Sequence, residues 1–477
     1  YNKIRALKVA FVVDECHRAV TPQTKRDLEA FFANSLWFGF TGTPIFEDNK
    51  YEQKGDLAQT TEQLYGERLH SYTIKEAIHD GAVLGFMVET LGKDGLSPED
   101  EGRTYGTEAH MRQVLNTILN KSYAKFGMEK GKGETYEAMF TVSSIEQAQK
   151  YYDFIKRIKA GKDELKISEE VHRALPDFPK VAITYSVTEN EEASKVNQDK
   201  MQEALDDYKE MFGSSYGLSN INAYNANLND RLARKEKRYL NRSQQLDIVI
   251  VVDRLLTGFD APCLSTLFID RQPMSPQNLI QAFSRTNRLF DTKKQYGQIV
   301  TPQAFTEAIN SALALYSRGG EGEPLAEDFE TVKEEFIASL KAVRNLADTP
   351  QDVISLSEKQ KKQFIYVFRD LDRSFNHLKA FSGYNPQILT DNHFSQEEYE
   401  DYAAIYKNVL AELKTDKTDD KSDDEAIIDD YELVAVDKIK VDYDYIIDLI
   451  SGFVDSLGDV ESEAEYEKKL TEIKEVV

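Results

Sequence analysis

Cys16 and Cys263 are the only two cysteines in 477 residues, too few for a disulfide framework or a four-ligand zinc site, and the seven histidines follow no metal-ligand spacing. This scarcity favours a reducing cytoplasm and a metal, if one is used, held by oxygen ligands. No run of about 18 apolar residues occurs, and no basic leader precedes an apolar stretch, so neither a membrane span nor a secretory signal is predicted. Positive charge is also short. The 59 Lys plus Arg stand against 83 Asp plus Glu, a net −24, and a charge of that sign repels phosphates. The deficit is uneven, because residues 321–477 hold 18 basic and 39 acidic side chains, leaving residues 1–320 at −3. Within that near-neutral front, Arg231, Arg234, Lys235, Lys237, Arg238 and Arg242 form a local basic stretch. It could face a nucleic-acid backbone or be a solvated helix face. A last absence is a phosphate loop of the form G-x-x-x-x-G-K-[ST] after a strand.

The remaining composition, 41% hydrophobic and 30% charged, is that of globular protein, and at roughly 150 residues per domain the length predicts about three domains. Short apolar runs at 8–13, 36–40, 137–142, 180–186, 246–252, 264–269 and 296–300 alternate with helical periodicities, the signature of a parallel sheet flanked by helices. The chain from Tyr65 to Glu89 is read as the closing segment of a first domain, and the passage from Gly92 through Gly102 to Gly106 as a linker. The pattern breaks at Ser317-Arg318-Gly319-Gly320. Beyond it the spacing of Val332, Phe336, Leu340 and Val343, and of Phe364, Val367, Phe368, Leu371 and Phe375, predicts helices without strands. Lys414 to Asp430 reads as a mobile loop. The expected domains are therefore 1–92, 93–318 and an all-α 331–477.

The chemistry is concentrated at strand ends. Asp14, Glu15, Cys16 and His17 close the run Val9–Val13, and ligands of open α/β sheets bind beyond the carboxyl ends of such strands. Adjacent carboxylates there suit Mg²⁺ beside a nucleotide: Asp14 is assigned to the metal, and Glu15 to orienting or deprotonating the attacking water. Farther on, Arg285 and Arg288 lie three apart on a predicted helix with Gln281 one turn earlier, so all three share a face. Leu279, Ile280, Ala282 and Phe283 would pack that helix on its sheet, leaving planar, permanently charged guanidinium groups free to meet a transferred phosphoryl. Ser143 and Ser144 end a strand before the helix 145–158, where they could cap it or hold a DNA phosphate. Gly258 permits close backbone approach, and Asp260 could accept from a ribose hydroxyl.

In this order the strings Asp14–His17, Gly39-Phe40-Thr41-Gly42-Thr43-Pro44, Leu255-Leu256-Thr257-Gly258-Phe259-Asp260-Ala261-Pro262 and Gln281–Arg288 resemble motifs II, III, V and VI of superfamily 2 helicases and translocases. Their combined wording is most similar to the R (restriction and translocation) subunit of type I restriction-modification enzymes. The resemblance implies two RecA-like domains, the first partial, followed by a helical domain. ATP and Mg²⁺ would be bound between the motor domains, with Asp14, Gly258, Asp260 and Gln281 toward nucleotide. Glu15, Arg285 and Arg288 would be catalytic, Ser143, Ser144 and Thr257 would meet DNA, and Thr41, Gly42 and Thr43 would couple nucleotide state to domain closure. Implied partners are double-stranded DNA and the methyltransferase and specificity subunits, with the methyltransferase docked on residues 331–477, where Phe381, Tyr384, Tyr399, Tyr402 and Tyr406 would either anchor it or fill the domain's own core. In this family a nuclease domain and a phosphate loop precede the acidic strand. Their absence here, with Tyr1 only thirteen residues before Asp14, reads as a C-terminal fragment. Another superfamily 2 translocase or repair helicase, or a noncatalytic assembly module, would carry the same strings.

Overall fold

The computed structural model describes residues 2–92, 103–130, 133–186, 192–317, 325, 327–415 and 433. The linker expected from 92 to 106 and the loop expected over 414–430 therefore lie largely outside the described residues. Residues 1–328 and 329–477 form two compact units.

In the first unit, β1 (Lys8–Val13) and β2 (Asn34–Gly39) pair in parallel, Lys8 opposite Asn34 and Val13 opposite Gly39. The remaining strands are β3 (Gly85–Thr90), β4 (Glu137–Val142), β5 (Val181–Thr184), β6 (Ile248–Val251), β7 (Leu264–Asp270) and β8 (Tyr296–Thr301). They build a second all-parallel sheet in the order β3-β8-β7-β4-β6-β5. Every residue of β4, β5, β6 and β7 is buried. Strands enclosed on both faces need apolar side chains at successive positions, which is why these runs do not alternate. Crossover helices include Ile145–Lys159, capped by Ser144 and buried along Ala148, Tyr151, Tyr152, Ile155 and Ile158, with Lys156, Arg157 and Lys159 in its last turn. That placement of charge complements the helix dipole.

Two features differ from the sequence reading. β3 falls within the stretch assigned to closing the first domain, yet it pairs with β8 and is an edge of the second sheet. Its run Gly85-Phe86-Met87-Val88-Glu89-Thr90 carries a glutamate, Glu89, that is buried against Lys125 at 2.5 Å, so its polarity hid a buried strand. The helix Pro276–Phe283 ends at Ser284, before Arg285 and Arg288, so these arginines occupy the turn and the irregular chain beyond it instead of one helix face. The α/β reading with flanking helices holds. No described helix is long and apolar enough to cross a membrane.

In the second unit, helices Phe329–Leu346, Glu358–Ala380 and Gln396–Thr415 pack on one another. Val332, Phe336, Leu340, Val343, Phe364, Phe368, Leu371 and Phe375 are buried, as the periodicity predicts, while Val367 is half-buried. Phe381, Tyr399, Tyr402 and Tyr406, the expected docking anchors, are buried too. Phe368 stacks on Tyr399 at 5.7 Å, and Tyr402 donates its hydroxyl to Ala347 O at 2.8 Å. Tyr384 meets Phe375 edge-on. These rings supply the helical core, where each fully buried aromatic contributes about 1.5–3 kcal/mol.

Candidate nucleotide cleft

At the end of β1 the chain turns sharply. Glu15 is left-handed, with φ 47° and ψ 43°, which costs a non-glycine residue roughly 1 kcal/mol or more and persists only where surroundings enforce it. The enforcement is visible. Glu15 N donates to Asp14 Oδ1 at 2.8 Å, Cys16 N donates to Phe40 O at 3.0 Å, and Arg18 N and Ala19 N both donate to Glu15 O. Gly39 completes the turn by close approach, since a Cβ there would lie 2.7 Å from Cys16 Sγ and 3.0 Å from the Tyr65 ring. Burial pushes the Cys16 thiol up to about 11, so it is an inert packing group.

His17 sits directly behind the carboxylates, 7% exposed. Its Nδ1 meets Thr41 Oγ1 at 2.8 Å and lies 3.4 Å from Glu15 Oε2, while Tyr51 donates to its carbonyl at 2.7 Å. Burial pulls the imidazole below its ordinary range, against the opposing pull of Glu15. Thr41 also accepts from Thr43 N at 3.0 Å, and open space surrounds Gly42.

From the second sheet, Gln281 enters the same cluster. Its Nε2 reaches Thr43 Oγ1 at 2.8 Å, Glu15 Oε2 at 3.2 Å and His17 Nε2 at 3.4 Å, and the side chain is 5% exposed. The amide carries two N–H groups for these three neighbours, and the two shorter contacts, to Thr43 and Glu15, can use both. Gln281 Oε1 is buried and makes no hydrogen bond. Further ties hold the two sheets: Asn49 Nδ2 donates to Tyr316 OH at 2.9 Å and Tyr316 OH to Pro44 O at 3.1 Å, while within the second, Leu84 N donates to Asn287 O at 2.8 Å.

The arginines follow. Arg285 Nε donates to Gln281 O at 3.0 Å and its Nη1 to Phe259 O. Burial and neighbouring Arg288 pull its pKa down, while Asp260 and Glu15 oppose them; a guanidinium so shifted remains charged at neutral pH. Arg288 Nε pairs with Asp260 Oδ1 at 2.8 Å, with side-chain exposures of 38% and 65%. Asp260 thus faces an arginine here, a partner the ribose assignment did not foresee. Gly258 is left-handed at φ +67° with open space where a side chain would be, and Thr257 beside it is half-buried.

Ser144 accepts from Gln147 N at 3.1 Å and so caps its helix, and Ser143 is bonded through N and Oγ to Gln147 Oε1. Both serines are exposed and stand away from the Glu15 cluster's hydrogen bonds. The basic stretch does not form a phosphate-facing stripe. Arg231 is 1% exposed, its guanidinium 3.7 Å from the Phe212 ring centroid. Arg234 pairs with buried Glu137, Lys235 with Asp230, Arg238 with Glu236, and Arg242 with Asp247 and Asp177. Asp230, Glu236 and Asp247 lie within five residues of their partners, whereas Glu137 and Asp177 come from far along the chain.

Two groups escaped sequence reading. Asp270, fully buried at the end of β7, accepts from His110, Gln303, Gln147 and Tyr151; a charged residue closing a buried run was its only signal. Lys294, 4% exposed, donates to Pro262 O and Arg288 O. It lies in the string Asp291-Thr292-Lys293-Lys294, which reads as a solvated turn.

Comparison with known proteins matches three family models to successive stretches of the chain. Residues 2–119 match the model of the SWI2/SNF2 ATPase, 134–304 that of Type I restriction enzyme subunit R domain 3, and 325–477 that of the type I restriction and modification enzyme subunit R C terminal. The Type I restriction enzyme SsaAORF53P endonuclease subunit of Staphylococcus saprophyticus is 29% identical over 98% of this chain and 49% of its own. The HindI endonuclease subunit of Haemophilus influenzae is 26% identical over 72% of this chain and 31% of its own. Among solved structures, the ATP-dependent Type ISP restriction-modification enzyme LlaBIII bound to DNA aligns at 13% identity and TM-score 0.35, covering 94% of this chain and 33% of that one. The chain spans about half the length of the first curated relatives it matches. With two R-subunit models covering 134–304 and 325–477, and motif strings of the same family meeting at one cleft, the chain belongs to the R subunits of type I restriction enzymes.

Proposed function

We propose that residues 1–92 and 93–318 form the nucleotide-facing parts of an ATP-driven double-stranded DNA translocation motor. The observation that carries this reading is Gln281, whose amide reaches Glu15, His17 and Thr43 from the helix Pro276–Phe283 and whose carbonyl accepts from Arg285. Asp14 and Glu15 fit Mg²⁺ only as part of a shared shell. No cluster of three or more His, Cys, Asp or Glu able to hold a metal exists among the described residues, and Mg²⁺ is commonly held by one or two carboxylates completed by phosphates and water. Asp14 would hold the ion, which when bound offsets charge on the phosphates. Glu15 takes the proton of the attacking water, its carboxylate oriented by Gln281 with His17 packed beside it. Arg285 and Arg288 meet the negative charge that develops on the phosphoryl oxygens. Thr41 and Thr43 link His17 and Gln281, so a change at the carboxylates is felt in the opposite sheet. Exposed Ser143 and Ser144 at a helix N-terminus, together with Thr257, would meet the DNA backbone without reading its sequence.

Methyltransferase and specificity subunits complete the proposed assembly, with residues 331–477 as the docking domain. A cytoplasmic location accords with Cys16 and Cys263, both free and buried. The test is DNA-dependent ATP hydrolysis by the assembled R subunit that carries this sequence. Glu15→Gln should lower turnover by about 10²–10⁴-fold, the usual worth of general-base catalysis, with an unchanged melting temperature. Native turnover in that variant would favour a structural module over a motor.

A further inference from the structure

Burying a lysine ammonium is costly unless its donors are used. Lys294 uses them on two main-chain carbonyls, Pro262 O at 2.7 Å and Arg288 O at 2.8 Å. Pro262 stands two residues beyond Asp260, and the Arg288 side chain returns to Asp260 at 2.8 Å. Three contacts therefore close a ring through Lys294, Arg288, Asp260 and Pro262. Within the ring, residues 287–290 belong to no helix or strand. Their backbone is held on one side by the Leu84–Asn287 pairing and on the other by Lys294. Lys294 is itself anchored, its main-chain N–H donating to Asp291 Oδ1 at 2.8 Å.

We propose that Lys294 is a positioning residue for Arg288, clamping the Arg288 peptide to the Pro262 turn so that the guanidinium leaves a fixed backbone toward the nucleotide cleft. The proposal rests on the hydrolytic reading above. Burial holds the Lys294 amine down to about 7. Its neutral form retains two N–H groups, enough for both carbonyls, so the clamp survives either protonation state.

The experiment uses the assembled R subunit with DNA and measures ATP turnover, KM and melting temperature. Lys294→Met, similar in length but without donors, should lower kcat about tenfold with KM for ATP within about twofold. Lys294→Gln, which keeps an N–H pair on a shorter stem, should recover part of kcat. A double-mutant cycle with Arg288→Lys separates positioning from general support: if Lys294 acts through Arg288, Lys294→Met costs little more in the Arg288→Lys background. Additive losses would overturn the proposal, as would unfolding of both Lys294 variants or a raised KM with native kcat. Arg288→Ala with native turnover removes the hydrolytic role of the arginine itself. Loss of turnover in Arg288→Ala beside native turnover in Lys294→Met removes the clamp alone.

Discussion

Arg288 and Asp260 show how a partly exposed ion pair differs in stability and in use. With side chains 38% and 65% exposed, the pair contributes at most about 1 kcal/mol to folding once solvent screening is counted. Arg288→Ala in the assembled R subunit should accordingly leave the thermal midpoint and nucleotide binding near native while stopping translocation. Calorimetry beside a translocation assay checks both halves. A loss of several kcal/mol would identify a buried structural pair instead. Glu137 and Arg234 provide the internal contrast. Their side chains are 0% and 5% exposed, and burial raises the Glu137 carboxyl to about 7 even with Arg234 beside it.

The turn joining β1 to the helix Cys16–Ala19 depends on a strand that contributes no chemistry. β2 ends at Gly39, whose missing side chain leaves room for Cys16 Sγ and the Tyr65 ring. An alanine would meet a buried sulfur at 2.7 Å, and overpacking of this kind costs typically about 1–3 kcal/mol. Because Cys16 follows Glu15 directly, its displacement moves the carboxylate away from Gln281 Nε2. Gly39→Ala should lower the melting temperature and ATP turnover together, and Cys16→Ala in that background should recover part of both. A midpoint within error of native for Gly39→Ala would show that the turn relaxes without moving Glu15.

Across the full chain, charge and core divide in the same way. Residues 321–477 carry −21 of the −24 net charge, and the unit Phe329–Val477 has its own buried core of Val332, Phe336, Leu340, Phe368, Phe375 and Tyr399. Residues 329–477 expressed alone should melt cooperatively and bind the methyltransferase subunit but not DNA at physiological salt, since a surface of that sign repels phosphates. Calorimetry and a pull-down with both ligands measure this. DNA binding without methyltransferase binding would overturn the docking role. Phe381, Tyr399, Tyr402 and Tyr406 are spent on the core, so the contact must come from other side chains.

How much could be read in advance follows from the range over which each signal acts. β4, β6 and β7 were legible because strands buried on both faces require local apolar runs; β1 was legible from the same kind of run, although of its residues only Val13 is buried and Val12 is 70% exposed, and the acidic pair was legible because parallel strands deliver their next residues to a cleft. The motif strings also named Gln281, Arg285 and Arg288. Periodicity stopped short wherever the partner lay far along the chain. Glu89 disguised β3 because Lys125 neutralises it, and the basic stretch from Arg231 to Arg242 looked available because Glu137 and Asp177 arrive from distant segments. Lys294 gave no sign at all, since its carbonyl partners are main-chain atoms that any residue could supply. Local patterning thus set which strands form and which residues stand at their ends. Folding settled which ends meet, where the helix before Arg285 stops and which charges remain free, because those outcomes depend on contacts between residues as far apart as Glu15 and Gln281.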